Sequence, residues 1–155
     1  MSRPIVIPRA LQRWHKMLNL AHQSPASWHT ARATEEIEEL LEAPNRIYRL
    51  SETTDVFFAI SRAKYDGFPI ESIPSFPETF PRSIVYPYMI WKYTARWALY
   101  KAVAKFCGGD WKNMREVVNP GKDSKLVEVA LRHNIDPVKF VKVGRRIRRV
   151  WPLLP

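Results

Sequence analysis

The chain has 155 residues, of which 46% are hydrophobic, and this composition predicts an ordered protein with a real core rather than wholesale disorder. Its 25 Lys and Arg residues exceed its 15 Asp and Glu residues, which gives a formal net charge of +10. Such a charge favours polyanionic partners, namely nucleic acid, nucleotides or an anionic membrane surface. No apolar run approaches the roughly 18 residues that a membrane-spanning helix needs. The single cysteine, Cys107, excludes an internal disulfide and favours a reducing, intracellular compartment.

The first third of the sequence predicts an extended arm followed by three helices. Two prolines within residues 1–8 disfavour a helix there, so we expect an arm. Apolar residues then recur at helical spacing, and a Ser-Pro dipeptide predicts a turn after the first helix. The three helices are predicted over Arg9–His22, from a cap at Ser27 or Thr30 to about Ala43, and over Arg46–Lys64.

The composition changes after the third helix. Residues 69–87 contain five prolines, which predict an extended connector laid along a surface rather than a strand. No alternating strand pattern persists anywhere, so the predicted fold class is all-α, a helical bundle with a basic C-terminal helical extension. The later helices are predicted over Tyr88–Phe106, from a cap at Asp110 to Val118, over Ser124–His133, and from a cap at Asp136 to about Trp151.

Acidic residues are concentrated in one stretch, because seven of the fifteen lie within residues 35–55. Glu36 and Glu39 are three residues apart on the predicted second helix, and Glu52 and Asp55 are three apart on the third. Residues at this spacing share a helix face, so a short loop permits the two pairs to meet. Facing carboxylates repel one another unless cations lie between them, and Mg²⁺ prefers such oxygen ligands. A solvated acidic face is the other interpretation of this stretch.

The spacing of these acids resembles that of the MazG-like, all-α nucleoside triphosphate pyrophosphohydrolases. The sequence is E-E-I-E-E at residues 35–39 and E-T-T-D-V-F-F at residues 52–58, with twelve residues between the two motifs. The resemblance covers roughly residues 10–68. We therefore divide the chain into a MazG-like region (1–68), the connector (69–87) and a basic, aromatic-rich helical region (88–155), and we expect the three to pack as one domain. It implies the following roles: Glu36, Glu39, Glu52 and Asp55 as ligands of Mg²⁺ or Mn²⁺, Glu35 as the catalytic outer-shell acid, and Arg62 and Lys64 as phosphate-binding residues.

The activity that the resemblance implies is Mg²⁺-dependent hydrolysis of a nucleoside triphosphate to a monophosphate and pyrophosphate. Such a small helical enzyme is expected to form a homodimer. The alternative is a non-enzymatic MazG-like module that binds nucleic acid or serves as a scaffold in a larger assembly.

The last predicted helix carries the residues on which the nucleic-acid alternative depends. Basic side chains on one helix face bind phosphate backbones by displacing condensed counterions. A solvated face, or a partner for the protein's own acids across a dimer, is the other interpretation. The basic face consists of Lys139, Lys142, Arg146 and Arg149.

We expect a cytoplasmic protein, although basic residues without any acid before Glu35 are also compatible with a mitochondrial presequence.

Overall fold

The computed structural model describes residues 9–151, and every regular element in that range is a helix, which confirms the predicted all-α fold. None of the helices in this range is both long enough and apolar enough to cross a lipid bilayer. Internal contacts group the chain into two compact units that divide between Ile90 and Trp91. The arm predicted at residues 1–8 lies outside the described residues. The helices are α1 (Arg9–Leu18), α2 (Ala26–Glu42), α3 (Arg46–Tyr65), α4 (Arg82–Phe106), α5 (Asp123–Arg132) and α6 (Pro137–Val150), with a 3₁₀-helix at Trp111–Asn113.

Helix α1 is shorter than predicted and ends at Leu18 instead of His22. Asn19 adopts a left-handed conformation, with φ of 48°, and its backbone N–H donates to the carbonyl of His15 at 3.0 Å. A left-handed residue after the last turn terminates a helix, and asparagine accepts this conformation more readily than most residues.

The start of α2 also differs from the prediction, because neither Ser27 nor Thr30 caps it. Pro25 occupies the N-cap position, and its carbonyl accepts the backbone N–H of Trp28 at 3.0 Å. The helix therefore starts at Ala26 and already includes both predicted capping residues. Proline needs no partner for a backbone N–H, so it suits a helix start without a side-chain cap.

Helices α2 and α3 form a hairpin closed by the short loop Ala43–Asn45. The Oδ1 atom of Asn45 caps α3 by accepting the backbone N–H groups of Ile47 and Tyr48, each at 3.0 Å. The apolar faces of the two helices share one buried cluster. The hairpin therefore fixes which faces of α2 and α3 oppose each other. The cluster comprises Ile37, Leu40, Val56 and Ile60.

A buried carboxylate, that of Asp66, ties the end of α3 to the loop between α1 and α2. Arg62 Nε donates to it at 3.0 Å, and the backbone N–H of Gln23 donates to the same oxygen at 3.1 Å. His22 Nδ1 lies 3.1 Å from the other oxygen, and His29 Nε2 lies 3.6 Å from the carboxylate. A carboxylate removed from water needs such partners, so these residues stabilise the first unit.

The connector packs against the α2–α3 hairpin within the first unit. Residues 68–81 form no helix or strand. Ile73 and Phe76 pack against the apolar cluster of the hairpin, and the rings of Phe76 and Phe57 meet edge to face at 6.0 Å. The guanidinium of Arg46 lies 5.7 Å from the ring centre of Phe80.

Helix α4 begins at Arg82, so the predicted start at Tyr88 was wrong. Pro87 lies inside the helix, where proline costs about 3 kcal/mol. Val85 and Met89, one turn apart, are both fully buried, whereas Pro87 is exposed. Burial of this apolar face outweighs the cost of the proline, a gain that the local sequence pattern does not reveal.

The second unit is built on packing between α5 and α6. Phe140 is fully buried, and a Cβ atom added to Gly144 would lie 3.0 Å from Leu126 Cδ1, so the two helices approach closely there. Asp136 caps α6 as predicted, with its Oδ1 accepting the backbone N–H of Val138 at 2.9 Å. Pro137 occupies the first turn, where its missing N–H is not needed.

The helix predicted from Asp110 to Val118 is reduced to the 3₁₀-helix Trp111–Asn113. Asp110 does cap it, accepting the backbone N–H of Asn113 at 3.4 Å and its side-chain Nδ2 at 2.6 Å. Met114 is fully buried in the core of the second unit. The chain turns inward at this residue, and that tertiary contact ends the helix early.

Candidate metal centre

The hairpin brings acids from both helices to one place. Carboxylate oxygens of Glu36, Glu39 and Glu52 all lie within 4.8 Å of one another. In an antiparallel hairpin, residues at similar distances from the loop face each other. Glu39 and Glu52 lie nearer the loop, and Glu36 and Asp55 lie about one turn farther away. Three of the four acids therefore meet across α2 and α3, and the charge of Asp55, which lies outside this close group, acts on Glu36.

Glu36 is the buried glutamate of this acidic cluster, and its pKa is shifted. Burial, followed by the negative charge of Asp55, raises the pKa of Glu36 from its ordinary value of 4.5 to about 7. Arg32 opposes this rise, while Glu39 and Glu52 add to it. Crowded carboxylates cannot all be ionised without a compensating positive charge. The crowding therefore favours the protonated form of Glu36 unless a positive charge lies nearby.

Arg32 is a member of the site that the sequence analysis missed. Its Nη1 donates to Glu35 Oε2 at 2.7 Å, and its Nη2 forms an ion pair with Glu36 Oε1. The signal was present in the sequence, because Arg32 precedes these acids by three and four residues and so shares their helix face. This guanidinium supplies part of the positive charge that the cluster requires.

The remaining predicted site residues lie outside the close group of three carboxylates. Glu35 is adjacent, but 56% of its side chain is exposed and it is held by Arg32. Lys64 is exposed, and its side chain pairs with no other residue in the described range. Arg62 is buried, and its donors point to Asp66 and to the carbonyl of Ala21. These contacts tie Arg62 to the fold, and its phosphate-binding role stays a prediction from the resemblance.

Two arginines at the start of α3 are also absent from the sequence analysis. Arg46 and Arg49 line a shallow depression of about 330 Å³ together with Asn45, Thr79 and Phe80. Arg49 precedes Glu52 by three residues and so lies on the same side of α3 as the acidic cluster. Both arginines are exposed.

The basic face of α6 has the exposure that its sequence predicted. Its four residues are all exposed, and none of their side chains makes an ion pair or hydrogen bond with another residue of the described range. The neighbouring Arg145 and Arg148 instead form ion pairs with Asp123 at the start of α5. These two arginines hold α6 in place, and the basic face remains available.

Comparisons of the chain with models of known protein families, with curated proteins and with solved structures find no match. The resemblance to the MazG-like enzymes therefore depends on the acidic pattern of the sequence alone.

Proposed function

We propose that the acidic cluster binds Mg²⁺ or Mn²⁺ and that the protein is a MazG-like nucleotide pyrophosphohydrolase. The observation that carries the proposal is the approach of three glutamate oxygens to within 4.8 Å of one another, with Asp55 beside Glu36. Motif spacing alone does not produce this approach. It requires both acidic pairs to lie on the opposed faces of one hairpin.

The donor set fits a hard divalent cation. Glu36, Glu39, Glu52 and Asp55 offer only carboxylate oxygens, the ligands that Mg²⁺ prefers. A divalent cation would favour the ionised form of Glu36 and so lower the pKa that burial and Asp55 have raised. Arg32 contacts one oxygen of Glu36, which leaves the other oxygen for the ion.

A bound divalent cation would neutralise triphosphate charge and lower the pKa of a bound water. Glu35 is positioned by Arg32 and exposed, so it can accept the proton of the attacking water. The water oxygen forms a bond to the α-phosphorus, the bond from that phosphorus to its bridging oxygen breaks, and pyrophosphate leaves. Arg49, with Lys64, would offset the charge on the phosphates.

The decisive experiment measures pyrophosphate release from a panel of nucleoside triphosphates with Mg²⁺, with Mn²⁺ and with a chelator. We expect metal-dependent release from at least one nucleotide, abolished by Glu52→Gln and by Asp55→Asn. Glu38→Gln is the matched control, because Glu38 is an exposed glutamate on α2 outside the close group. If no nucleotide releases pyrophosphate although the metal binds, the proposed hydrolysis is wrong and only the metal site is supported.

Calorimetric titration with Mg²⁺ and Mn²⁺ tests the metal site separately from the chemistry. The unmodified chain and Glu38→Gln should both bind, whereas Glu39→Gln should bind at least tenfold more weakly, since loss of a charged ligand costs on the order of 1.4 kcal/mol or more. Equal titrations of Glu39→Gln and Glu38→Gln would contradict a metal site at this cluster.

The second candidate function is a non-enzymatic helical module, and the Arg32–Glu36 ion pair is the observation that favours it. An internal arginine that compensates the acids makes a cation unnecessary for folding. In that case Arg32→Gln should lower the melting temperature, and added Mg²⁺ should not restore it. If the metal site is real, Mg²⁺ should raise the melting temperature of both the unmodified chain and Arg32→Gln.

A further inference from the structure

The charge of the protein is divided unevenly between its two halves. Residues 1–90 contain ten Lys and Arg and ten Asp and Glu, whereas the sequence from Trp91 onward contains fifteen Lys and Arg and only five Asp and Glu. The whole net charge of +10 therefore belongs to the second half. The acidic cluster of the first unit does not account for this excess.

All five acids of the second half already have partners there. Two of them cap helices, and the other three form ion pairs. No acid in residues 91–151 is left to neutralise the basic face of α6. The acids are Asp110 and Asp136 as caps, Glu116 and Glu128 with Arg132, and Asp123 with Arg145 and Arg148.

The basic face is presented by a rigid helix. The opposite side of α6 is packed into the core through Phe140 and Gly144, and Asp123 fixes the flank of the helix through two arginines. The four free cations extend over about 15 Å from Lys139 to Arg149, at a rise of about 1.5 Å per residue. This length suits a run of successive phosphates on one extended strand.

An exposed aromatic ring, that of Phe106, lies at the end of α4, beside the start of α6. Phe106 is 71% exposed, although it is a large apolar side chain. A Cβ atom added to Gly109 would lie 2.6 Å from Ile135, so this end of α4 touches the residues that lead into α6. Burial raises the pKa of Cys107, and the charge of nearby Lys139 opposes that rise. Lys139 therefore lies close to the residue that follows Phe106.

We infer that the second unit is a binding module for single-stranded nucleic acid. The basic face of α6 contacts the phosphates, and Phe106 stacks on a base next to the Lys139 end. Base stacking on an exposed ring combined with a basic track is the arrangement by which proteins hold single strands without reading their sequence. An anionic membrane fits less well, because Phe140 and Ile147 of α6 pack into the core, and the exposed Val138 and Val150 at its two ends form no continuous apolar face.

Fluorescence anisotropy of the full chain with a labelled 20-nucleotide pyrimidine RNA, in chelator, tests this inference. We expect the logarithm of the affinity to fall with the logarithm of salt concentration at a slope of about −3, as four phosphate contacts imply. Lys142→Ala/Arg146→Ala/Arg149→Ala should reduce this slope to about −1 and weaken binding at low salt roughly 30-fold. Glu52→Gln should bind as the unmodified chain does, so the result does not depend on the proposed hydrolysis.

The matched control is Arg9→Ala/Arg13→Ala/Lys16→Ala, which removes three exposed cations from α1 and so changes the net charge equally. This variant should retain most of the affinity. An equal loss in both triple variants would mean non-specific attraction and would overturn the inference. Circular dichroism melting confirms that each variant is folded.

Phe106→Ala should weaken RNA binding roughly tenfold, which corresponds to one lost stacking contact, and should not change the salt slope. A hairpin duplex of the same length and vesicles containing phosphatidylserine serve as competitors. Tighter binding to the duplex, or competition by vesicles that depends on the basic face, would contradict a single-strand module. Dissociation of an oligomer by the α6 triple variant, without loss of RNA affinity, would assign the face to a second copy of the chain.

Discussion

At the scale of single residues, the fold changes the protonation of two buried groups in opposite directions. The pKa of Glu36 rises to about 7 through burial and Asp55. The pKa of His15 falls from 6.5 to about 4, first through burial and then through the positive charge of Arg62. His15 Nε2 lies 2.9 Å from Ser61 Oγ, a contact suited to a neutral imidazole.

These two shifts make opposite contributions to the pH dependence of stability. Between pH 4.5 and 7 the folded chain retains the Glu36 proton that the unfolded chain loses, so this group makes the free energy of unfolding fall as pH rises. Between pH 4 and 6.5 the unfolded chain protonates His15 and the folded chain does not, so this group makes stability rise with pH. The two contributions offset each other where the windows overlap.

Glu36→Gln should reveal the contribution of His15 to the pH dependence of stability. In chelator, the variant should gain stability relative to the unmodified chain as pH rises from 4.5 to 7, by up to about 3 kcal/mol, since one pKa unit is worth 1.36 kcal/mol. Urea unfolding at a series of pH values measures this difference. For the control Glu38→Gln, the plot of unfolding free energy against pH should run parallel to that of the unmodified chain. A Glu36→Gln curve parallel to both would show that the pKa of Glu36 is not raised.

Arg62→Ala distinguishes the structural role of Arg62 from its expected phosphate role. Removal of the guanidinium leaves the Asp66 carboxylate buried without its closest cation, which should cost about 3–5 kcal/mol of stability. The double variant Arg62→Leu/Asp66→Leu should recover part of that loss. Normal stability together with weakened nucleotide binding would instead assign Arg62 to the phosphates. By comparison, Arg49→Ala should preserve stability.

At the scale of elements, the α2–α3 hairpin controls the geometry of the acidic cluster. Its loop has only three residues, so any change in the start of α3 moves Glu52 and Asp55 relative to Glu36 and Glu39. Asn45 sets that start through its two hydrogen bonds to the backbone. The cap therefore acts on the site through the helix rather than by contact with it.

Asn45→Ala should lower the free energy of unfolding by about 1 kcal/mol, because two backbone N–H groups lose their acceptor. Asn45→Asp should restore the stability, since aspartate caps helices equally well. Chemical denaturation gives the stability, and calorimetry on the same variants gives the Mg²⁺ affinity. If Asn45→Ala binds Mg²⁺ as tightly as the unmodified chain, the cluster does not depend on the cap.

At the scale of the whole molecule, the two halves differ in electrostatics as well as in composition. The half that carries the acidic cluster is formally neutral, and the other half carries all the excess positive charge. Self-repulsion destabilises a compact unit with a large net charge, and salt screens that repulsion. The two units should therefore respond differently to ionic strength.

Hydrogen exchange of backbone amides at 20 mM and 300 mM NaCl tests this difference. Protection of the amides of α5 and α6 should increase severalfold at the higher salt, because screening weakens repulsion among the basic residues. The amides of α2 and α3 should change little. Equal responses in the two units would mean that the charge asymmetry does not affect local stability.

Much of the secondary structure was determined by the sequence itself. Helical spacing of apolar residues places α3, α5 and α6 to within one residue or so, because a helix face is a local property. The Asp136–Pro137 start of α6 and the proline-rich connector are also local, since proline restricts its own backbone and that of its neighbour. The two acidic pairs, each on one helix face, follow from the same periodicity.

Only the tertiary structure decided which of these faces meet and which charges they contain. Val85 and Met89 extend α4 through Pro87 because both are buried, and no pattern around the proline signals that burial. Arg62 binds Asp66 and the carbonyl of Ala21, 41 residues away, a role in the fold that no local pattern around Arg62 predicts. Burial and charge compensation depend on groups distant in sequence, and these interactions determine which acids form a site.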